Sequence, residues 1–282
     1  MSNTPTITLI GPGVMAEAVI GGLIRNQVTE PSKIMAAGPR IERGEELIER
    51  YGIHFTTDNK AAAKGAEIVI LSVKPQRLQG VLAGLRGSID PQALVLSIVA
   101  GAAIQTISQA LSHPVVVRVM PNTPAQIGQG ISVWTASSVV TTAQRELAQC
   151  ILAALGQEIF VEDENLLDMA TALSGSGPAY VFLFMEALVD AGVHLGFPRR
   201  ISEALVLQTL RGSVEYYAQK KDHPAHLRNE VTSPGGTSAA ALYYLEKAGF
   251  RTAISRAIWA AYERSQELGR GKTSAPPEKQ GN

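Results

Sequence analysis

Gly11, Gly13 and Ala16 fill the three small-residue positions of a G-x-G-x-x-G/A turn in TITLIGPGVMAEAVIGGLI, residues 6 to 24. The chemistry of that spacing is anion binding. Gly11 permits a tight turn, Gly13 lets backbone amides approach a pyrophosphate, and Ala16 allows a helix to pack closely on the preceding strand. The helix N-terminus adds partial positive charge. A lone match of this kind is unspecific, and its plain alternative is a turn between strand and helix. Its position after a strand and before a helix predicts a dinucleotide site. The second strand bears on which dinucleotide. An NAD site carries an acid at that strand's end to bond the ribose diol, whereas KIMAAGPRIERG (33 to 44) has Gly38, Pro39 and Arg40 there. Arg40 can pair with an extra phosphate, which predicts NADPH, with NADH an admissible substitute; its alternative is a solvated surface charge. LSVKP (71 to 75) ends another core strand at the same edge, so Lys74 can approach the cofactor while Pro75 shapes the turn. The alternative there is an ordinary charge at an exposed strand end.

A second small-residue loop, VTSPGGTSAAALYYLEKAGF (231 to 250), places Ser233, Gly235, Gly236, Thr237 and Ser238 before a helix that begins near Thr237. Uncapped amides with the Ser233 and Ser238 hydroxyls suit a small carboxylate; ordinary capping by Thr237 or Ser238 is the competing reading. In LSGSGPAYVF (173 to 182), Gly175 and Gly177 remove side-chain bulk, either for a cofactor and substrate to meet or for tight helix packing. His223 and His226 lie three apart without a convergent acid or cysteine pattern, and His54, His113 and His194 are isolated, so no metal site is expected. Ser176 lacks the glycine offsets of a hydrolase nucleophile.

These loops need a scaffold. Six short β-rich runs alternate with helical patterns up to about residue 163: TITLIG, KIMAAG, AEIVILSV, ALVLSIVA, VVVRVMP and GQEIFVED. Aliphatic on both faces, they predict a doubly wound, mostly parallel α/β sheet. The rest reads as helical. SGPAYVFLFMEALVDAG (176 to 192) is apolar nearly all round and predicts a buried helix with Pro178 in its first turn. RTAISRAIWAAYERSQELG (251 to 269) keeps a wet side. The expected division is 1–163, 164–271 and a polar, Pro-rich tail at 272–282 that should be disordered.

Across 282 residues, 25 basic and 25 acidic side chains balance, which argues against a nucleic-acid or anionic-membrane partner. Cys150 is the single cysteine, excluding an intrachain disulfide and cysteine-rich zinc sites. No basic-then-apolar leader opens the sequence, and no apolar run approaches the roughly 20 residues of a bilayer span. A cytoplasmic location is the expectation.

The sequence closely resembles the pyrroline-5-carboxylate reductase family. The agreement runs from about Thr6 to about Gly269 through IGPGVM (10 to 15), SVKPQ (72 to 76), SIVAG (97 to 101), RVMPNTPA (118 to 125), ALSGSGPAYVF (172 to 182) and VTSPGGTSAAALYYLE (231 to 246). MPNTPA, SGSGPAY and SPGGT in this order are specific. The resemblance implies a Rossmann domain followed by an all-α dimerisation domain, with interleaved helices, the active site where two subunits meet, and higher oligomers such as a decamer. It implies reduction of 1-pyrroline-5-carboxylate to L-proline by direct hydride transfer from NADPH. It also implies cofactor contacts from Ile10, Gly11, Pro12, Gly13, Val14, Met15, Asn59, Val73, Lys74 and Pro75, with Asn59 near the adenine ribose. Ser233 and the amides of Gly236, Thr237 and Ser238 would hold the substrate carboxylate. Ser238 departs from the threonine common in the family; the hydroxyl near the ring nitrogen is kept and the rotamer-restricting methyl is lost. Two rivals are weighed. β-Hydroxyacid dehydrogenases use a lysine in the helix that opens the second domain, and SGSGPAYVFLFMEALVDAGVHLG has none. A dinucleotide-sensing protein would need the first glycine loop without the second.

Overall fold

A computed structural model describes residues 4–269. The expected tail at 272–282 lies outside the described residues. The described residues form two compact units, one of 4–176 with 261–269 and one of Gly177–Ala260.

In the first unit, eight strands form one sheet in the order β3-β2-β1-β4-β5-β6-β7-β8. They are β1 (Ile7–Ile10), β2 (Ile34–Ala37), β3 (His54–Thr56), β4 (Ile68–Leu71), β5 (Leu94–Ser97), β6 (Val116–Met120), β7 (Gly130–Ala136) and β8 (Gly156–Phe160). All neighbours are parallel except β6 and β7. The six anticipated strands are present. Two more, β3 and β7, were not read: β3 has three residues at the sheet edge, and GISVWTA intersperses polar with apolar residues.

The helices of this unit cover both faces. α1 (Val14–Arg25), α2 (Ile41–Tyr51) and α6 (Thr142–Ala153) pack Val19, Ile20, Leu23, Leu47, Ile151 and Leu152 against Ile7, Leu9, Ile68 and Ile70. α3 (Asn59–Ala63), α4 (Pro75–Leu85) and α5 (Ile104–Leu111) pack Ala63, Leu78, Leu82 and Leu85 against Ile10, Val69, Leu71 and Val95. Successive strand residues thus enter opposite cores, the reason these strands read as aliphatic throughout. Each fully buried Leu or Ile contributes about 1.5–3 kcal/mol. Of the buried polar strand residues, Thr8 donates its hydroxyl to the Ala62 carbonyl at 2.7 Å.

Register matters most for the site. Ile10 pairs with Ala37 on one side and Leu71 on the other, so β1, β2 and β4 end level and their following loops open on one edge.

α7 (Leu166–Ala170) continues into a π-type turn at Thr171–Gly175. This segment belongs with the sheet because Arg118 of β6, almost fully buried, pairs with Glu164 at 3.1 Å and Asp168 at 2.8 Å. Glu164 also accepts from the Ile104 amide, and Asp168 from the Ser265 hydroxyl. The compact units divide at 176/177.

The second unit contains α8 (Gly177–His194), α9 (Arg199–Lys220), α10 (Pro224–Glu230), α11 (Thr237–Lys247) and most of α12 (Phe250–Gly269). α8 and α9 are joined by the Ser202 hydroxyl on the Val189 carbonyl at 2.8 Å and by an Arg199–Asp190 pair at 2.7 Å. Contrary to expectation, α8 is not buried. Among residues 177–260 only Val189 and Ser202 are buried, and Phe182 and Leu183 are 62% and 67% exposed. Five helices in 84 residues have no core of their own, so the apolar faces await another chain. Leu166–His194 also meets the length and composition of a bilayer span. Asp168, Glu186 and Asp190 interrupt it, so it holds no unbroken apolar run of that length.

Replacing Arg118 with Met strands two carboxylates around an apolar side chain; the expected loss is about 3 kcal/mol of stability, measured by urea unfolding. A midpoint equal to wild type contradicts the anchoring role.

Candidate functional site

The level strand ends create a cleft of about 690 Å³. The first loop contributes Gly11, Pro12 and Gly13, the second Gly38, Pro39 and Arg40, and the third Ser72, Val73 and Lys74. Thr57 and Asn59 add a wall beside α3, and Arg77 reaches the cleft from the first turn of α4.

The two loop glycines have different reasons. Gly11 has φ +95°, and a Cβ there would stand 2.7 Å from Val73 Cγ1 and 3.0 Å from Ser72 backbone, so the fold itself requires glycine. Gly13 has φ −82° and ψ −171°, open to any residue, and a Cβ there would meet nothing within 4 Å. The protein leaves that space for something else.

Of the anticipated cofactor residues, Ile10, Gly11, Pro12, Gly13, Arg40, Asn59, Val73 and Lys74 line the cleft. Val14, Met15 and Pro75 do not. The Val14 side chain is exposed, Met15 packs on the core, and Pro75 starts α4. The first-turn amides of Val14 and Met15 nevertheless lack an intrahelical acceptor, as the start of any helix dictates. Thr57, Ser72 and Arg77 were missed. Sheet order brings them to the glycine turn; Ser72 lies within LSVKP beside the anticipated Val73, whereas no local signal marks Thr57 or Arg77.

The lining suits a reduced dinucleotide. It has three cations, Arg40, Lys74 and Arg77, and no carboxylate. Asn59 Oδ1 is buried without a hydrogen-bond partner, a cost of about 1–3 kcal/mol that a ribose hydroxyl would relieve by donating to it. The nearby acid Asp58 is already engaged: it caps α3 by accepting from the Lys60 and Ala61 amides at 2.9 and 3.2 Å.

A charged network braces the glycine turn from behind. Arg43 Nε of α2 donates to the Pro12 carbonyl at 3.0 Å, and its guanidinium pairs with Glu17 of α1. Arg50 also pairs with Glu17, and the Tyr51 hydroxyl donates to it at 3.1 Å. Partial burial pushes the Glu17 carboxyl up, but the Arg43 and Tyr51 hydrogen bonds, the Arg43 charge and the Arg50 hydrogen bond outweigh it and hold the group below its usual range. A carboxylate in the first turn of the phosphate-binding helix is thereby neutralised by Arg43 and Arg50.

The second loop lies in the Gly177–Ala260 unit. Gly235 adopts φ +75°, Gly236 is the N-cap of α11, and the Gly236 amide donates to the Ser233 carbonyl at 3.0 Å. A Cβ at Gly236 would stand 2.7 Å from Ser233 Oγ. No side chain caps this helix, so neither Thr237 nor Ser238 takes the capping role. The amides of Thr237, Ser238 and Ala239 are left as donors beside two serine hydroxyls, an arrangement that can hold a carboxylate.

Gly175 follows the packing reading: a Cβ there would meet Met120 Cε at 2.4 Å. His223 caps α10 by accepting from the Ala225 amide, and buried His113 bonds the Ala93 carbonyl.

Residues 164–268 match the family described as pyrroline-5-carboxylate reductase dimerisation, and residues 6–101 match that described as NADP oxidoreductase, coenzyme F420-dependent. A pyrroline-5-carboxylate reductase of Synechocystis is 44% identical, over 93% of this chain and 97% of the relative. One of Pseudomonas aeruginosa is 40% identical over 94% and 97%. The chain belongs to the pyrroline-5-carboxylate reductase family. Among solved structures, a pyrroline carboxylate reductase of Plasmodium falciparum with NADP bound superposes with a TM-score of 0.87 at 32% identity, covering 95% of this chain and 99% of that one. Membership makes the chain an NAD(P)H-dependent oxidoreductase that assembles from copies of itself. The family's dimerisation region spans the helices that lack a core here, and the apolar run of α8 falls within it.

Among the described hydrogen bonds of Arg43, the one to the Pro12 carbonyl is its link to the cleft lining. Substitution by Met should weaken NADPH binding roughly tenfold, measured by titration of nicotinamide fluorescence. Unaltered affinity contradicts the bracing role.

Proposed function

We propose that this chain reduces 1-pyrroline-5-carboxylate to L-proline, using NADPH with NADH as a less favoured substitute. The observation that carries the reading is the presence in one chain of two unlike anion sites. One is a carboxylate-free cationic cleft with a glycine turn and an orphan Asn59 acceptor; the other is the uncapped start of α11 beside Ser233.

When bound, the reduced nicotinamide supplies a hydride to the imine carbon C5, and a proton at nitrogen completes the conversion of C=N to a single bond. The chain's own residues bind and orient. Ile10, Gly11, Pro12 and Gly13 with the Val14 and Met15 amides receive the pyrophosphate. Asn59 would face the ribose, with Val73 and Lys74 as the opposing wall and Pro75 starting the helix behind them. Arg40, in place of the acid of an NAD site, favours the additional phosphate. Ser233, with the backbone from Gly235 and Gly236 to Thr237 and Ser238, holds the substrate carboxylate. The Ser238 hydroxyl would stand beside the ring nitrogen, to orient it, to donate to it or to relay a proton from water. A protonated imine is already a strong electrophile, so positioning two flat rings is the main task and no acid/base dyad is needed.

The working form is a homodimer with interleaved helices, assembled further into a decamer, in the cytoplasm. The exposed apolar faces of α8 and α9 support a second copy as the missing core.

Mixing purified protein with NADPH and pyrroline-5-carboxylate should remove nicotinamide absorbance and yield proline, while NADP with a 3-hydroxyacid gives no reaction. No loss with either cofactor overturns the assignment. A Ser238→Ala variant should lose roughly tenfold in kcat; full turnover removes Ser238 from the chemistry.

A further inference from the structure

The cleft holds more positive charge than a pyrophosphate needs. Helix α1 already offers first-turn amides to a pyrophosphate, yet Arg40, Lys74 and Arg77 also line the space, and no carboxylate faces them. Among the described residues no side-chain hydrogen bond or ion pair engages any of the three. Their placement opposes helix electrostatics. Arg40 is the N-cap of α2, Lys74 is the N-cap of α4, and Arg77 is in the first turn of α4. A helix start carries partial positive charge and favours acids, so three unpaired cations there are unfavourable until an anion arrives.

The sheet order gives the arrangement its logic. β2 and β4 flank β1, so Arg40 after β2 and Arg77 after β4 stand on opposite sides of the glycine turn while lining one cleft. The Arg77 amide donates to the Lys74 carbonyl at 2.8 Å, which fixes the backbone of that first turn. Both are arginines, whose planar forks suit phosphate oxygens better than a lysine's point charge.

We infer that Arg77 is a second specificity-determining residue for the 2′-phosphate of the cofactor, acting with Arg40 from the opposite wall of the cleft. This deepens the reading of the cleft as an NADPH site and rests on it. Preference for the phosphorylated cofactor is then shared, and neither arginine alone carries it. The adenine and pyrophosphate are common to both cofactors, so a contact with either would leave the preference untouched.

The test is direct binding, read by nicotinamide fluorescence with NADPH and with NADH, for wild type, Arg77→Gln, Arg40→Gln and the double variant. The NADPH-over-NADH affinity ratio should fall roughly tenfold in each single variant and further in the double. The thermal midpoint of the free Arg77→Gln protein should not fall, because an unfavourable charge has been removed from a helix start. An unchanged ratio in Arg77→Gln overturns the inference, whether both affinities drop together or neither moves. Because binding is read without turnover, failure of the imine to react would count against the proposed function and leave the Arg77 result intact.

Discussion

Backbone, ligand and a neighbouring strand compete for the same few ångströms at Gly11 to Gly13. β1 must end level with β2 and β4 for the following loops to share an edge, and the chain must then reverse into α1 without a side chain striking Val73 or Ser72. Gly11 resolves that conflict with φ +95°. A Cβ at Gly38 would stand 2.4 Å from Pro12, so the second loop also needs glycine to pass the first. Arg43 then engages the Pro12 carbonyl at 3.0 Å. The cleft is thus a consequence of register, two steric glycines and one guanidinium. The three strands beneath it, β1, β2 and β4, are buried on both faces.

The second unit shows the opposite economy. Residues Gly177–Ala260 bury only Val189 and Ser202, while Phe182, Leu183, Leu205, Val214 and Tyr244 stay exposed. At about 1.5–3 kcal/mol for each large apolar side chain buried, a partner that covers a handful of them supplies a domain's worth of stability. The same surface makes the separate chain a poor folding unit.

Much of this was legible from residue patterns. Five of the six strands, β1, β2, β4, β5 and β6, announced themselves because both faces are buried, the edge strand β8 was legible from its run despite being largely exposed, and the glycine turn and the start of α11 near Thr237 were read at the right residues. β3 and β7 escaped, one through brevity and the other through mixed polarity. The burial of α8 was misjudged for a clear reason: hydropathy reports that a face must be covered but not by which chain. Thr57 and Arg77 could not be seen, since they meet the glycine turn only through sheet order. Arg43 was equally silent. Its neighbours Glu42, Glu45 and Glu46 make it look like a surface ion pair, whereas its Nε bonds a carbonyl 31 residues away.

The central claim is that the space beside Gly13 belongs to a dinucleotide rather than to the fold. Gly13→Ser separates the two, because the backbone there tolerates any residue and serine is at least as good a helix N-cap as glycine. The measurement is NADPH affinity by fluorescence titration beside the thermal midpoint of the free protein. The account predicts a midpoint equal to or above wild type together with loss of NADPH binding. Wild-type affinity in the serine variant would contradict it.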